Sequence, residues 1–356
     1  MSKVSFNNKQ SPFFKSLKQK VDRYFLENNL QTSGNAHLLF KGTLQFVSLI
    51  VVYVILVFFT PSIFISILLC AFFGFNLALI GFNIMHEGIH QSFSKNKKIN
   101  KITAYSLNFM GGNSFYWKTK HGINHHTYTN IDGMDFDIDI GPLMRLHENQ
   151  KKLWIHKFQH IYWVILYGIS YVAWILYQDF EKYFTKKLAP GAEKHKLAPK
   201  EHLIFWITKI YYVTVYLALP IFMLGPLKAL VGFAIIAFVC GITISVVFQL
   251  AHMVEETQFP SPDAETNKID QEWAIHQVNT TANFSTKNKT LCWLLGGLNF
   301  QIEHHLFPNI SHVHYPKINQ FVVATCQEFG VNYVEYPSMY KAFQSHLHHI
   351  KRLGNG

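Results

Sequence analysis

Runs of apolar residues, each close to membrane length, alternate with polar stretches along this 356-residue chain. Residues 43–60 carry no charge, nor do residues 62–85, and Pro61 divides them. A bilayer core needs about 20 consecutive apolar residues per helix. The two runs therefore predict a transmembrane hairpin. A second hairpin is predicted over 206–224 and 227–251, divided at Gly225-Pro226. Lys209 and Lys228 interrupt it near helix ends, where long side chains can snorkel to the interface. A fifth apolar stretch, His160 to Tyr177, can either span or lie flat at the interface.

The polar positions that matter most are histidines. They cluster as HEGIH (His86, His90), HGINHH (His121, His125, His126) and QIEHH (His304, His305, led by Gln301). His86 follows the first hairpin directly, and His252 follows the second in the same way. Spacing of i, i+4 puts His86 and His90 on one helical face. If the fifth stretch spanned, the second and third clusters would lie on opposite sides of the membrane. The basic loop TKKLAPGAEKHKLAPKEH would also be carried outside, against the positive-inside tendency. If it lies flat, every cluster stays on one side. The predicted fold is thus an all-α integral membrane protein with four transmembrane helices in two hairpins. A cytoplasmic helical cap, 95–205 and 255–356, holds a two-metal site, and both termini are cytoplasmic.

Residues 1–40 read as a basic amphipathic N-terminal segment, and 41–356 as the membrane domain. Between Ser11 and Asn29, Phe, Leu, Val and Tyr mix with Lys and Arg at helical spacing. Such a helix either lies on a membrane face or packs on the protein's own cap. No apolar run follows Met1, so no secretory signal is expected. The net charge of +11 does not indicate a nucleic-acid partner, because the basic residues flank apolar runs and form no single stripe. It suits anionic lipid head groups. Cys70, Cys240, Cys292 and Cys326 form no CxxC pair, which argues against a disulfide framework or zinc knuckle.

Imidazole is the commonest metal ligand near neutral pH. A set rich in histidine and poor in cysteine suits zinc, copper, iron or nickel better than calcium or magnesium. Glu87, Asp132, Asp135, Asp137 and Glu303 lie near the clusters, where carboxylates often orient ligand imidazoles; each is equally an ordinary surface charge. The pair His348-His349, close to the C-terminus, reads as solvated.

HEGIH, HGINHH and QIEHHLFP, in this order, resemble the histidine boxes of the membrane fatty acid desaturase family. The glutamine opening the third box resembles the front-end branch, which adds a double bond between an existing one and the carboxyl end. The resemblance implies a non-haem di-iron site held by His86, His90, His121, His125, His126, His252, His304 and His305. Gln301 joins this set as a ligand or near-ligand. His276, in EWAIHQVNTTANF, is a contact near the metal or a hydrogen-bonded cap histidine. The implied reaction uses O₂ and two electrons to take one hydrogen from each of two adjacent methylenes, leaving a cis double bond and water. The substrate is a fatty acyl-CoA or acyl-lipid. Asn113, Tyr116, Trp117 and Lys120 are candidates for the tunnel mouth or head-group contact.

The haem-binding HPGG motif of many front-end relatives is missing, so the donor is expected to be a separate ferredoxin or b-type cytochrome. The Lys, Asn and Ile richness points to a bacterial cytoplasmic membrane. The rival readings are a hydroxylase of the same superfamily and, in a different class, a metal-ion transporter with histidines inside its spans.

Overall fold

The computed structural model describes residues 4–138, 141–188 and 194–356. These residues are mostly helical. The helices that matter for the site are α1 (Pro12–Glu27), α2 (Ala36–Phe59), α3 (Ile63–Ile89), α4 (Lys97–Ala104), α5 (Ser114–Thr119), α6 (Trp154–Thr185), α7 (Pro199–Leu224), α8 (Pro226–His252), α9 (Trp273–Asn279), α10 (Gln301–Leu306), α11 (Tyr315–Phe329) and α12 (Met339–Asn355). Among the described residues, β structure is limited to two short parallel pairs. Ser5–Phe6 lies beside Lys268–Ile269, and Asn283–Phe284 beside Glu335–Tyr336.

Five helices, α2, α3, α6, α7 and α8, are long and apolar enough to cross a membrane. They exceed the predicted spans for identifiable reasons. The Asn35 side chain accepts the Leu38 N–H and starts α2 at Ala36, ahead of Thr43. Its charged residue, Lys41, is buried. Pro199 starts α7, where a missing N–H costs nothing. The expected interfacial stretch 160–177 lies inside the continuous helix α6, so five helices meet the length criterion where the sequence predicted four crossings. Large apolar side chains such as Phe40, Ile50, Phe58, Phe64 and Leu68 are exposed along α2 and α3. A continuous exposed apolar surface of this kind marks a lipid-facing protein.

The chain divides into two compact units. One comprises Asn35–Thr119 and Trp163–Val246. Its core contains an ion pair that corrects the expectation for Lys209. That side chain does not snorkel; it is buried, and its ammonium lies 2.8 Å from Asp179 Oδ2. It also donates to the carbonyls of Gly111 (2.7 Å) and Ile175 (2.8 Å). Burial is tolerable because three oxygens replace its hydration.

The other unit comprises Met1–Gly34, Lys120–Tyr162 and Val247–Gly356. Of the two arrangements open to the N-terminal helix, α1 takes the packed one. Phe13, Leu17, Val21 and Phe25 repeat at helical spacing, and their buried side chains join Ala274, Val278, Ile302, Ile318 and Val322 from α9, α10 and α11. Lys15, Lys18 and Arg23 face outward, and Lys20 pairs with Glu328 of α11 at 2.6 Å. His349 is also buried, stacked on Phe259 at 5.2 Å, whereas His348 is exposed as expected. Helix α12 continues almost to the C-terminus and carries His349 on its inner face.

Candidate metal centre

The second histidine box begins in a π-helical turn, Lys120–His125, which leads into His126–Tyr128. The wide turn stacks His121 on His125, with ring centroids 5.0 Å apart and planes 20° from parallel. Such turns recur at functional sites. The third box is α10. Spacing of three and four residues sets Gln301, His304 and His305 on one face. His252 ends α8.

These segments converge. Ligand atoms of His125, His252 and His305, all buried, lie within 4.8 Å of one another. His126 adjoins the same group, with its ring 4.4 Å from His305 and 4.6 Å from His304. His121 lies parallel to His304 at 6.2 Å. A second close group joins His121, His125 and Asp137. Residues more than 170 positions apart thus present imidazoles to one place.

Five of these rings, those of His121, His125, His252, His304 and His305, have an oxygen behind Nδ1. His125 Nδ1 lies 3.0 and 3.1 Å from the two Asp135 oxygens. His121 Nδ1 lies 3.3 Å from Asp137 Oδ2, and Lys120 holds the other oxygen of that carboxylate at 2.7 Å. His252 Nδ1 faces the carbonyl of Thr280 (3.3 Å), His305 Nδ1 faces Gln277 Oε1 (2.8 Å), and His304 Nδ1 faces the Tyr315 hydroxyl (3.2 Å). A carboxylate or carbonyl can only accept, so for His121, His125 and His252 the proton sits on Nδ1. The Nε2 lone pair is left for a metal. His125 Nε2 and His252 Nε2 are buried and make no hydrogen bond. A buried nitrogen lone pair without a donor is costly in a closed protein and natural in a ligand. The donor set therefore fits a metal that accepts imidazole, iron included.

Electrostatics follow the same partners. Burial lowers the pKa of His121 in spite of Asp137. Burial also opposes charge on His125, but Asp135 outweighs it, through its charge and hydrogen bond, and the net shift is upward. Burial would raise the Asp137 pKa, but Lys120 and the two histidines hold it well below the usual carboxylate range. Glu303 points elsewhere. It accepts from Asn283 (2.7 Å) and Asn319 (3.0 Å), and burial pushes it up to about 7.

The remaining predicted residues are placed as follows. His86 lies in the last turn of α3 and His90 caps its end, in the other unit, where a π-helical turn, Gly81–Met85, precedes them. Their rings are 4.7 Å apart, and Trp117 stands 5.7 and 6.3 Å away. Asn113 Oδ1 accepts the Tyr116 N–H at the start of α5, and Tyr116 is buried. His276 is buried beside Phe6 at 5.0 Å, with its pKa lowered by burial to about 4. It is in neither of the close groups described. The sequence reading missed Thr129, Asn130, Gln277, Thr280 and Tyr315, which touch the clustered histidines or their backbone. A signal was present: TN stands two residues after box two, and HQVNTT packs polar residues into a short buried stretch.

The fatty acid desaturase family model matches residues 58–337. The chain belongs to the fatty acid desaturase family. It is 35% identical over 358 residues to the sn-1 linoleoyl-lipid 6-desaturase of Synechocystis sp., covering 99% of this chain and 98% of that one. It is 34% identical to the enzyme of the same description from Arthrospira platensis, covering 99% and 95%. It is 35% identical to the acyl-lipid (8-3)-desaturase of Physcomitrium patens, covering 96% of this chain and 72% of that one. This desaturase is an oxidoreductase acting on fatty acyl chains and a multi-pass membrane protein. Its relatives agree with the front-end type indicated by the glutamine of the third box.

Proposed function

We propose that the desaturase holds two iron ions through His86, His90, His121, His125, His126, His252, His304 and His305, with Gln301 as a further near-ligand. The observation that carries this reading is the approach of His125, His252 and His305, with two buried Nε2 atoms left open. Iron bound there and reduced would supply the O₂ activation that removes two hydrogens from adjacent methylenes. The chain's own residues do the rest. Asp135, Asp137, Thr280 and Gln277 orient the rings of His125, His121, His252 and His305, and the apolar wall, including Phe248 at 5.1 Å from both His125 and His252, excludes water.

Four crossings fit this reading best. His125 and His252 share one group, so the chain between them crosses an even number of times. With α7 and α8 crossing, α6 lies at the interface. All boxes then face the cytoplasm. The substrate is an acyl chain on a lipid, as the names of the relatives describe for those proteins. The new double bond forms on the carboxyl side of an existing one. Electrons come from a separate ferredoxin or b-type cytochrome, drawn to the basic cytoplasmic face. The setting is a bacterial cytoplasmic membrane.

The test is expression in a host of known lipid composition, with linoleate supplied and fatty acids profiled by mass spectrometry. A product two hydrogens lighter, with the new bond toward the carboxyl end, is expected. It should vanish with His125→Ala while the protein stays in the membrane. A product one oxygen heavier would replace the reading by hydroxylation.

A further inference from the structure

Two residues after the second box, the chain makes an unusual turn at Thr129-Asn130. Both residues are completely buried, and Asn130 is left-handed, with φ of 59°. Asparagine tolerates this conformation better than most residues. Its backbone N–H donates to Asp135 Oδ2 at 2.9 Å, the carboxylate that holds His125. Its side-chain amide faces the carbonyls of His252 (3.1 Å), Gln258 (3.1 Å) and Thr280 (3.2 Å). The Thr280 carbonyl is also the acceptor for His252 Nδ1. Thr129 Oγ lies 2.7 Å from the His125 carbonyl and 2.9 Å from Gln277 Oε1, the oxygen that faces His305 Nδ1.

We propose that Thr129-Asn130 is the positioning element that registers His125, His252 and His305 as ligands of one ion. The proposal rests on the reading that these histidines bind metal. The three ligands come from segments with no sequence continuity. The dipeptide touches the support of each: Asp135 and the main chain behind His125, the main chain and Thr280 behind His252, and Gln277 behind His305. Neither residue is one of the three histidines it registers, so both act only by aim. A core role alone would call for apolar side chains here. Instead the amide's two N–H groups lie among three carbonyls and the hydroxyl's single proton between two acceptors, and all but one of these five oxygens are ligands' main-chain oxygens or atoms that face a ligand's Nδ1.

The backbone conformation allows the amide to be tested apart from strain. Asn130→Gly keeps a positive φ freely and removes the carboxamide. Asn130→Asp keeps the shape but offers no N–H to the carbonyls. Thr129→Val keeps the volume and removes the hydroxyl. The full-length protein in detergent would be loaded with Fe(II) or Co(II), and bound metal counted and titrated against a chelator. Wild type should hold two ions. Each variant should bind one as before and the other about 10- to 100-fold more weakly, as changes behind metal ligands do. A folded Asn130→Gly or Asn130→Asp protein holding both ions at wild-type affinity would overturn the proposal, and so would a lowered melting temperature with both ions kept. If the Asn130 variants do not fold, Thr129→Val decides by the same two outcomes. A folded wild type that binds no metal would instead sink the underlying metal reading.

Discussion

Replacing Asp135 by alanine should weaken metal binding without unfolding the protein. The Asp135 carboxylate is buried and accepts from three donors: His125 Nδ1 at 3.0 Å, the Asn130 N–H at 2.9 Å and the Asp137 N–H at 2.9 Å. Alanine leaves all three without their acceptor. An orphaned buried donor costs about 1–3 kcal/mol, although a water entering the vacated space can recover part of that. The cost to the site is more specific. His125 loses the partner that fixes its tautomer, so the proton can move to Nε2, the atom a metal needs. Changes of this kind lower metal affinity by about 10- to 100-fold, or about 1.4 to 2.7 kcal/mol. Asp135→Asn should fall between wild type and alanine, because one oxygen can still accept from Nδ1. The assay is a competitive titration of detergent-solubilised protein against a chromophoric chelator. Asp22→Ala, on the exposed face of α1, serves as the control and should lie within about 0.5 kcal/mol of wild type. An Asp135→Ala protein that binds metal within twofold of wild type would refute the orienting role.

Other outcomes follow from the same structure. Lys209→Met leaves Asp179 buried without its cation and should cost about 3–5 kcal/mol. The double change Lys209→Met with Asp179→Leu should recover most of it in thermal unfolding, and a double variant no more stable than the single would contradict this. Gly88→Ala, inside the first box, places a Cβ 2.4 Å from Thr103 Oγ and 2.5 Å from the Ala104 nitrogen. Overpacking of this kind costs about 1–3 kcal/mol, so the melting temperature should drop; an unchanged value would show that α4 yields freely. The third outcome concerns pH. Burial lowers the His346 pKa to about 4 and that of His349 to about 3. Both values lie below the unfolded value of about 6.5, so their stabilisation is complete above that pH and is lost as pH falls toward 4 and then 3. For His346 it amounts to about 3 kcal/mol. His346→Gln, which can still donate to the Met253 carbonyl, should flatten the fall in stability between pH 6.5 and 4, and a profile parallel to wild type would argue against it.

Much of this was legible because membrane spans and histidine boxes are local patterns. Two uncharged runs marked α2 and α3, and two runs with a single lysine each marked α7 and α8. Their ends were not legible, because Lys41 looked like a boundary and Lys209 like a snorkelling residue near a helix end. Lys209 is instead neutralised by Asp179, a residue 30 positions away that no periodicity connects to it. The packed state of α1 was one of two open choices, since an apolar stripe does not say whether protein or lipid covers it. The boxes could be read as ligands from histidine spacing and family resemblance. Their supports could not, because Thr280 acts through a main-chain carbonyl and Gln277 through an amide far from His305 in sequence. Asn130 could be seen beside the second box, but its left-handed turn and three carbonyl partners belong to tertiary structure.

The central claim is that these histidines grip two redox-active irons. Metal analysis of purified, iron-loaded wild type, with Mössbauer spectra on the same sample, tests it most directly. Two irons per chain, coupled as a pair, are expected, with loss of that coupling in His125→Ala and His304→Ala. A single isolated iron in wild type, or two irons unaffected by either substitution, would contradict it.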